Sequence, residues 1–320
     1  MNKYLSLLLL NLPGIGKKTL SEFSKIKEFE ININYDDIMN EHFIYNNIKC
    51  LDKKYKFSLS DIIKAQENIK KIKEFCYKNK IGFIGVNDIQ YPKQLLDIPD
   101  APIFLFYKGN IKAIKDIGIA VIGTRKPTQN GSMIAKNIGK LLAEKNVSVI
   151  SGLAIGCDTE AHLGCLEGKG NTIAVMPCGL DNIYPKVNKF LAERILSNNG
   201  CLISEYLPKQ RIFKNNFIER DRLQSGLSKG IIVVETSISS GTMHTVNFAK
   251  KQHRHLAVYK HEVEYDKDEQ VQGNKKLISE GAFQIKNIME DINKYVESLN
   301  TIDFCTKKSK EETVEINLFE

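Results

Sequence analysis

The sequence predicts an α/β protein in which a parallel sheet is covered by helices on both faces and is preceded by a small helical domain. From residue 119 onward, six short apolar runs alternate with segments of helix length: IAVIG, VSVISG, NTIAVMPCG, GCLISEY, GIIVVET and HLAVYK. Strands that are apolar throughout and alternate with helices are typical of a parallel sheet with both faces covered. Residues 1–80 have no convincing strand pattern and instead carry apolar residues at helical spacing, such as Ile62, Ile63, Ile69 and Ile72.

The chain divides into three predicted regions. Residues 1–80 form the helical domain, and residues 81–298 form the α/β domain. The α/β domain begins with an extended lead-in over residues 81–118, where three of the eight prolines separate short apolar runs by turns. Residues 299–320 are polar and charged, and they are predicted to be a tail.

The amino-acid composition of the chain indicates which kinds of partner and of binding site are to be expected. The formal net charge of +8 is a modest basic excess, which favours a polyanionic partner without identifying it. No apolar run approaches the ~18 residues of a membrane-spanning helix, so we expect a cytoplasmic protein without a membrane partner. The seven cysteines are scattered and contain no CxxC pair, which argues against a zinc site and against a disulfide framework. We therefore expect reduced, buried thiols, no metal and no cofactor.

Small residues follow four of the predicted strands. In an open α/β sheet, ligands bind at the carboxyl ends of the strands, and glycine and hydroxyl residues that lead into a helix expose backbone N–H groups to an anion. Several such loops at one sheet edge predict an anionic ligand, although the spacing GxGxxG of dinucleotide sites is absent. The phosphate-binding candidates in these loops are Gly123, Thr124, Arg125, Ser151, Gly152, Ser240, Gly241 and Thr242.

Four segments, in their order and spacing, resemble the DprA/Smf family of DNA-processing proteins. They are VIGTRKPTQNG, SGLAIGCDTEAHLGCLEGKGNTIAVMPCGLDNIYPKVN, FIERDRLQSGLSKGIIVVETSISSGTMHTVNFA and GNKKLISEGA, and the likeness extends from about residue 88 to about residue 295. The family signature SGxAxGxDxxAH is matched at every fixed position, by Ser151, Gly152, Ala154, Gly156, Asp158, Ala161 and His162.

This resemblance implies both a fold and a function. The implied fold is an extended Rossmann-like domain, and the implied assembly is a homodimer. The implied function is to bind and protect single-stranded DNA and to load a RecA-type recombinase onto it during DNA uptake, natural transformation or recombination. The resemblance implies binding and loading rather than catalysis, so no catalytic residue is expected.

Further DNA-binding candidates come from the family motifs. Arg125 matches the arginine of the family's G-S-R turn, with Thr124 in place of the usual serine. A guanidinium beside helix-end amides can hold a phosphate through two parallel hydrogen bonds. Lys186 in IYPKVN matches a family lysine proposed to contact the DNA backbone, and Arg220 and Arg222 match the arginines of the family's R-N-R.

Asp221 departs from this pattern, because the family usually has asparagine between the two arginines. Glu219 is a second acidic replacement. A carboxylate at this place either weakens phosphate binding by repulsion or holds an arginine in position. We expect Asp221 to pair with Arg220 or Arg222, because a carboxylate between two arginines is better satisfied by them than by facing an anion.

Asp158 and His162 are four residues apart and therefore share a helix face, which is compatible with acid–base chemistry. Without a nucleophile nearby, we interpret them as structural hydrogen-bonding residues. Two other functions remain open. One is a nucleotide-binding sensor, for example in phage defence. The other, less favoured, is a nucleotide hydrolase of the lysine-decarboxylase-like type, in which Thr245 stands where the GGxGTxxE motif has its glutamate.

The segment NLPGIGKKTLSEF reads as a helix, a tight turn and a second helix, similar to a helix-hairpin-helix module. Such a turn presents its amides to a DNA phosphate, and the possible contacts are Gly14, Gly16, Lys17 and Lys18. Packing or protein interaction is the alternative role for this domain. Family members often end in a winged-helix domain, but only about 25 residues follow EGAFQIKNIMEDI, so we expect none here.

Overall fold

The computed structural model describes residues 2–23, 34–48, 55, 57–115, 118–265 and 267–301. Within these residues, a nine-stranded sheet has the order β1-β2-β6-β5-β4-β3-β7-β8-β9. Its strands are β1 Gly82–Gly85, β2 Phe104–Gly109, β3 Gly118–Ile122, β4 Ser148–Ser151, β5 Thr172–Val175, β6 Cys201–Ser204, β7 Gly230–Val233, β8 His255–Tyr259 and β9 Phe283–Ile285. The predicted α/β fold class is confirmed.

Five helices precede the sheet in the described part of the chain: α1 Lys3–Leu10, α2 Lys17–Phe23, α3 Tyr35–Met39, α4 Glu41–Ile48 and α5 Leu59–Lys78. Seven more alternate with or follow the strands there: α6 Gln129–Glu144, α7 Cys157–Glu167, α8 Lys189–Ser197, α9 Lys214–Gly226, α10 Thr242–Lys251, α11 Gln272–Ser279 and α12 Ile288–Thr301. No helix among these is long and apolar enough to cross a lipid bilayer.

The lead-in over residues 81–118 adds two antiparallel strands to the sheet. Strand β1 pairs with β2, and β2 pairs with β6, in both cases antiparallel. Short 3₁₀ helices at Lys93–Asp97 and Ile111–Lys115 connect these strands to their neighbours. The sheet is therefore parallel from β6 to β9, and the lead-in closes its other edge.

Strand β3 shows how the sheet is covered on both faces. Ile119 and Val121 pack in a buried cluster with residues of α6, α7 and α12, whereas Ala120 and Ile122 pack in another cluster with residues of α10 and α11. Successive side chains of a strand point to opposite faces, so a strand covered on both faces must be apolar at every position. The run IAVI meets this requirement, and all four residues are buried.

The N-terminal helices and the sheet share one apolar core. Leu5 and Leu8 of α1 and Ile69 of α5 are fully buried in the same cluster as Phe104 and Phe106 of β2. Helix α5 begins with a capping box, in which Ser58 accepts a hydrogen bond from the Asp61 backbone N–H and the Asp61 carboxylate accepts one from the Ser58 N–H. The helical region predicted for residues 1–80 thus packs directly against the antiparallel edge of the sheet.

Helix α12 continues to Thr301, which is three residues beyond the predicted end of the α/β domain at residue 298. Leu299 is buried against the sheet in the same cluster as Tyr295, which explains why the helix extends past that point. Residues 302–320, the remainder of the predicted tail, lie outside the described residues.

Candidate nucleic-acid interface

A pocket of about 430 Å³ opens at the carboxyl edge of the sheet, where the neighbouring parallel strands β3 and β7 end. The loop after β3, the loop after β7 and helix α9 form its walls. This is the edge at which open α/β sheets bind their ligands. Seven of the predicted site residues line it: Gly123, Thr124, Arg125, Arg220, Ser240, Gly241 and Thr242.

The N-terminus of α6 is already occupied by a carboxylate of the protein itself. Glu235, directly after β7, is fully buried, and its Oε2 accepts a hydrogen bond of 2.8 Å from the Thr128 N–H. Its backbone carbonyl accepts a second hydrogen bond, of 2.7 Å, from the Thr124 N–H. A carboxylate at the positive end of a helix takes the place that an anionic ligand would use. The loop after β3 therefore does not offer its helix N-terminus to a phosphate.

The loop after β4 is closed in the same way. Asp158 Oδ2 accepts hydrogen bonds from the N–H groups of Gly152 and Ala154, at 3.0 and 3.3 Å. The Ser151 hydroxyl is buried and donates to the Val121 carbonyl at 2.8 Å. A Cβ at Gly152 would collide with the guanidinium of Arg220, so this glycine is required for packing. Ser151 and Gly152 were predicted as phosphate contacts, but they do not line the pocket. They instead stabilise the strand ends beneath it, Ser151 through Val121 and Gly152 by packing against Arg220.

The N-terminus of α10 is open to the pocket. Ser240, Gly241 and Thr242 form this end of the helix, and a Cβ at Gly241 would meet nothing within 4 Å. Asn274 holds the loop in place from behind, because its Oδ1 accepts from the Thr236 N–H at 2.8 Å and its Nδ2 donates to the Val234 and Tyr259 carbonyls. Of the N-termini of α6 and α10, that of α10 is therefore the one available to an anion.

Arg125 lies on the opposite wall and is exposed. Its guanidinium carbon is 5.7 Å from the ring centroid of Phe217 on α9, which is a cation–π distance. Arg125 therefore combines an exposed charge on the pocket wall with an aromatic neighbour. This position suits a phosphate that also contacts the α10 amides.

Arg220 has a structural position at the base of the same pocket. It is buried, and its Nη1 donates to the carbonyls of Gly152 and Val175, at 2.5 and 2.9 Å. Its Nε donates to Asp221 Oδ1 at 3.1 Å, which confirms the expected pairing of Asp221 with an arginine. Burial raises the pKa of Asp221 to about 6, while the charge of Arg220 opposes this rise. Burial also raises the pKa of Asp158, again against the effect of Arg220.

Arg222 points away from the pocket, although it is only two residues from Arg220. Its Nη2 donates to both carboxylate oxygens of Glu205, at 2.7 and 2.8 Å, and its Nε is 3.1 Å from Asp100 Oδ2. Arg222 is buried, so this ion pair joins α9 to the loop after β6 and to the lead-in. The structure therefore does not bring Arg222 to the predicted anion site.

Lys186 lies outside the pocket on an exposed 3₁₀ turn, Lys186–Asn188, that follows a cis Tyr184–Pro185 bond. Asn188 anchors this turn by donating to the Leu153 carbonyl at 2.8 Å. Tyr184 packs edge-on against Phe217, with ring centroids 5.1 Å apart. An aromatic path, Phe217 and Tyr184, thus connects Arg125 in the pocket with Lys186 on the surface.

Asp158 and His162 do not form an acid–base pair. Asp158 binds backbone amides, and His162 Nδ1 lies 2.6 Å from the Thr172 hydroxyl. Burial, with a further contribution from Arg220, lowers the pKa of His162 to about 3, so its ring is neutral at physiological pH. The structural interpretation of these two residues is confirmed.

The predicted helix, turn and helix near the N-terminus are present as α1, the turn at residues 11–16 and α2. Gly14 has a φ of 75°, the conformation that a tight turn requires. Lys17 turns toward the sheet, where its Nζ is 3.2 Å from Glu205 Oε2 and 3.9 Å from the Tyr206 ring centroid. Gly14, Gly16 and Lys18 are exposed and Lys17 is partly buried, so three of the four predicted contacts face solvent.

The cysteines in the described part of the chain are free and buried: Cys76, Cys157, Cys165, Cys178 and Cys201. Cys50 and Cys305 lie outside it. Within the same residues there is no group of three or more side chains that could hold a metal ion.

Four residues that shape the site were not among the predicted site residues, although they lie within the segments that resemble the family: Glu235, Phe217, Tyr184 and Asn274. Glu235 and Asn274 act through contacts with residues far away in the chain, at Thr128 and Thr236. The position of Tyr184 before a proline, next to a candidate DNA-binding lysine, was the available hint for an aromatic contact.

The family model described as DNA recombination-mediator protein A matches residues 82–297. The DNA processing protein DprA of Streptococcus pneumoniae is 40% identical over 184 residues, which are 57% of this chain and 63% of that protein. The alignment thus spans less than two thirds of that relative.

Two solved structures resemble this fold, one over most of the chain and the other over about two thirds of it. The X-ray structure of DprA from S. pneumoniae matches with a TM-score of 0.72 and 28% identity, covering 92% of this chain and 98% of that chain. DprA from Helicobacter pylori, described for its single-stranded DNA binding mode, matches with a TM-score of 0.60 and 30% identity, covering 68% of this chain and 96% of that chain.

Proposed function

Because the chain belongs to the DNA recombination-mediator protein A family, we propose that it binds and protects single-stranded DNA and loads a RecA-type recombinase onto it during DNA uptake, transformation or recombination. The observation that carries this proposal is the pairing of an open helix N-terminus with an exposed arginine. The α10 end at Ser240–Thr242 and Arg125 line one pocket. Together they supply backbone donors and a guanidinium to one phosphate.

The aromatic path supports a strand of DNA rather than an isolated anion. Phe217 and Tyr184 lead from Arg125 to the exposed Lys186, and Phe190, which is 70% exposed, lies four residues beyond Lys186. Single-stranded DNA is held by basic groups on its phosphates and by aromatic rings on its bases. A phosphate at Arg125, bases along Phe217 and Tyr184, and a second phosphate at Lys186 satisfy this pattern.

Homodimer formation and recombinase contact are part of the proposal. Ile238 and Val263 are large apolar side chains that are 53% and 82% exposed, and they follow the adjacent strands β7 and β8. Both residues lie in loops that follow strands at the carboxyl edge of the sheet, and exposed apolar side chains there are candidates for protein contacts. A second copy of the chain, or the recombinase, would cover them.

We propose a binding role without catalysis. Thr245 is buried at the position where lysine-decarboxylase-like hydrolases have their glutamate, and Asp158 and His162 are committed to structural hydrogen bonds. These features favour neither hydrolysis nor acid–base chemistry at the pocket.

Competition binding tests the proposal. A labelled deoxythymidine oligonucleotide is titrated with the protein at two salt concentrations, and unlabelled oligonucleotide, duplex of the same length and free nucleotides are then added as competitors. We expect the single strand to compete best and the affinity to fall as salt rises, because phosphate binding releases counterions. Preferential competition by a free nucleotide would favour the sensor function, and equal affinity at both salt concentrations would contradict the proposed phosphate contacts.

A further inference from the structure

The candidate pocket contains, besides the open N-terminus of α10, two buried polar side chains that the fold leaves without a partner. Gln224 of α9 and Thr245 of α10 both line the pocket and are only 2% and 3% exposed. Neither the Gln224 amide nor the Thr245 hydroxyl hydrogen-bonds to any residue that the structure describes. Buried polar groups are nearly always hydrogen-bonded, so these side chains indicate a ligand with donors and acceptors of its own.

Asp221 adds a carboxylate to these groups. It also lines the pocket and lies three residues before Gln224 on α9, and side chains at this spacing are neighbours with Cβ atoms about 5 to 6 Å apart. Asp221 Oδ1 accepts from Arg220 Nε, whereas Asp221 Oδ2 accepts from no residue in the described part of the chain. An ionised carboxylate has about four acceptor sites on its two oxygens, so Asp221 can accept further N–H groups.

We propose that the pocket binds a guanine base of single-stranded DNA, with the Asp221 carboxylate accepting its N1–H and N2–H groups and the Gln224 amide donating to its O6. Guanine presents two adjacent N–H donors beside a carbonyl oxygen on one edge, which complements a carboxylate beside an amide. The inference rests on the proposed DNA-binding function and adds a base preference to it.

The other three bases match these groups less well. Adenine and cytosine each present one amino group beside a ring nitrogen that is an acceptor, and thymine presents one N–H between two carbonyl oxygens. Each of them places an acceptor against a carboxylate oxygen of Asp221, where it is repelled. The Thr245 hydroxyl both donates and accepts, so it can satisfy any base without selecting one.

The rest of the nucleotide has a place in the same pocket. Thr245 lies three residues after Thr242, so the open helix end and the base site follow each other along α10. Phe217 lies one turn before Asp221 on α9 and also lines the pocket, where its ring can flank the base. The volume of about 430 Å³ is within the range of about 300 to 1,000 Å³ that is typical of small-molecule sites.

Binding of oligodeoxythymidine strands of one length tests this inference. The central nucleotide is dT, dG, dA or deoxyinosine, which lacks the N2 amino group of guanine. Affinities are measured at pH 7.5, where Asp221, with its pKa of about 6, is ionised. We expect the dG strand to bind about fivefold or more tightly than the all-dT strand, and the deoxyinosine strand to fall between them.

Substitutions on α9 identify the groups that read the base. Asp221→Asn should reduce the dG preference to less than about twofold, because an amide presents one donor and one acceptor instead of two acceptors. It should not weaken binding of the all-dT strand. Gln224→Met, which removes the amide and keeps the length of the side chain, should also reduce the preference. Glu219→Gln is the matched control, since it neutralises a carboxylate of α9 outside this pocket and should leave the preference unchanged.

The preference is a ratio of two affinities of one protein, so partial loss of folded protein in a variant does not alter it. Equal affinity of the parent for the dT, dG and dA strands would overturn the inference and leave DNA binding in place, as would an unchanged preference in Asp221→Asn. Failure to bind any strand would overturn the proposed function as well. Free dGMP should compete poorly, and competition as strong as that of the dG strand would assign the pocket to a free guanine nucleotide and overturn the assignment to DNA.

Discussion

Arg220 donates to the carboxylate of its chain neighbour Asp221 at 3.1 Å, and two backbone carbonyls hold the same guanidinium from the other side. These carbonyls belong to Gly152 and Val175, at the ends of β4 and β5. Arg220 is therefore anchored to three segments of the chain, and Asp221 is only one of its partners. This arrangement changes what a substitution at Asp221 is expected to do.

Asp221→Asn should tighten binding of single-stranded DNA at pH 7.5. The sequence alone favoured the opposite result, because loss of a bracing carboxylate would loosen an arginine. The two carbonyls keep Arg220 in place, so the main effect of the substitution is to remove a negative charge from the pocket lining. We expect a gain of about 1 kcal/mol or less, larger at low salt. Titrations at pH 7.5 and pH 5 check it, since the gain should shrink when Asp221 is already protonated. Weaker binding at both pH values would show that Arg220 depends on Asp221.

Asp221 should also make folding stability depend on pH. Its pKa is raised to about 6 in the folded protein, from an ordinary value of 3.8, so the folded state binds the proton more tightly than the unfolded state. The stabilisation is fully present below pH 4 and is lost as the pH rises through about 6. Relative to the parent, Asp221→Asn should gain stability between pH 4 and pH 7, by at most ~3 kcal/mol. Urea denaturation across this pH range measures the difference, and parallel curves for the two proteins would contradict the assignment.

Arg125→Ala should weaken binding of single-stranded DNA by ~1 to 3 kcal/mol if its guanidinium holds a phosphate. Fluorescence anisotropy with a labelled oligonucleotide measures the change. Lys140→Ala is the matched control, because Lys140 is an exposed cation on α6, outside the pocket lining. Equal losses for the two variants would indicate a general charge effect rather than a site at Arg125.

Lys186 and Phe217 should differ in how they affect the salt dependence of binding. Lys186→Ala removes a proposed phosphate contact, so the slope of log affinity against log salt should become shallower by about 0.7. Phe217→Leu removes an aromatic surface, so affinity should fall by ~1 to 3 kcal/mol with an unchanged slope. Titrations at four salt concentrations separate the two effects. A change of slope for Phe217→Leu would mean that the ring acts by positioning Arg125.

Arg222→Ala should destabilise the fold by at most about 3 to 5 kcal/mol, because the buried Glu205 loses both hydrogen bonds from Arg222 Nη2 but keeps Lys17 as a charged partner at 3.2 Å. The free energy of unfolding, measured in urea, reports this change, and Arg125→Ala should leave it nearly unaltered. A stable Arg222→Ala protein with impaired DNA binding would instead return Arg222 to the binding site.

The sheet edge that forms the pocket could be predicted from the sequence, because parallel apolar strands place their following loops together. The side chains that occupy the loops at that edge could not be predicted. Glu235 occupies the N-terminus of α6 through a hydrogen bond to Thr128, which is 107 residues away in the chain, and no motif predicts this contact. Asp158 closes the loop after β4 through the nearby N–H groups of Gly152 and Ala154. The different roles of Arg220 and Arg222 follow from helix geometry once α9 is known, since residues two apart on a helix are rotated by about 200°. The family motif predicted both arginines as binding residues, but it did not predict where their side chains point.

The shared core between the N-terminal helices and strand β2 determines what can be removed from this protein. Phe104 and Phe106 of β2 are covered by the same cluster that contains Leu5, Leu8 and Ile69. A fragment that starts at residue 82, where the family match begins, would present these two phenylalanines to water and become prone to self-association. The described N-terminal helices therefore shield this sheet edge from water, and we expect the chain to melt as one cooperative unit rather than as two domains.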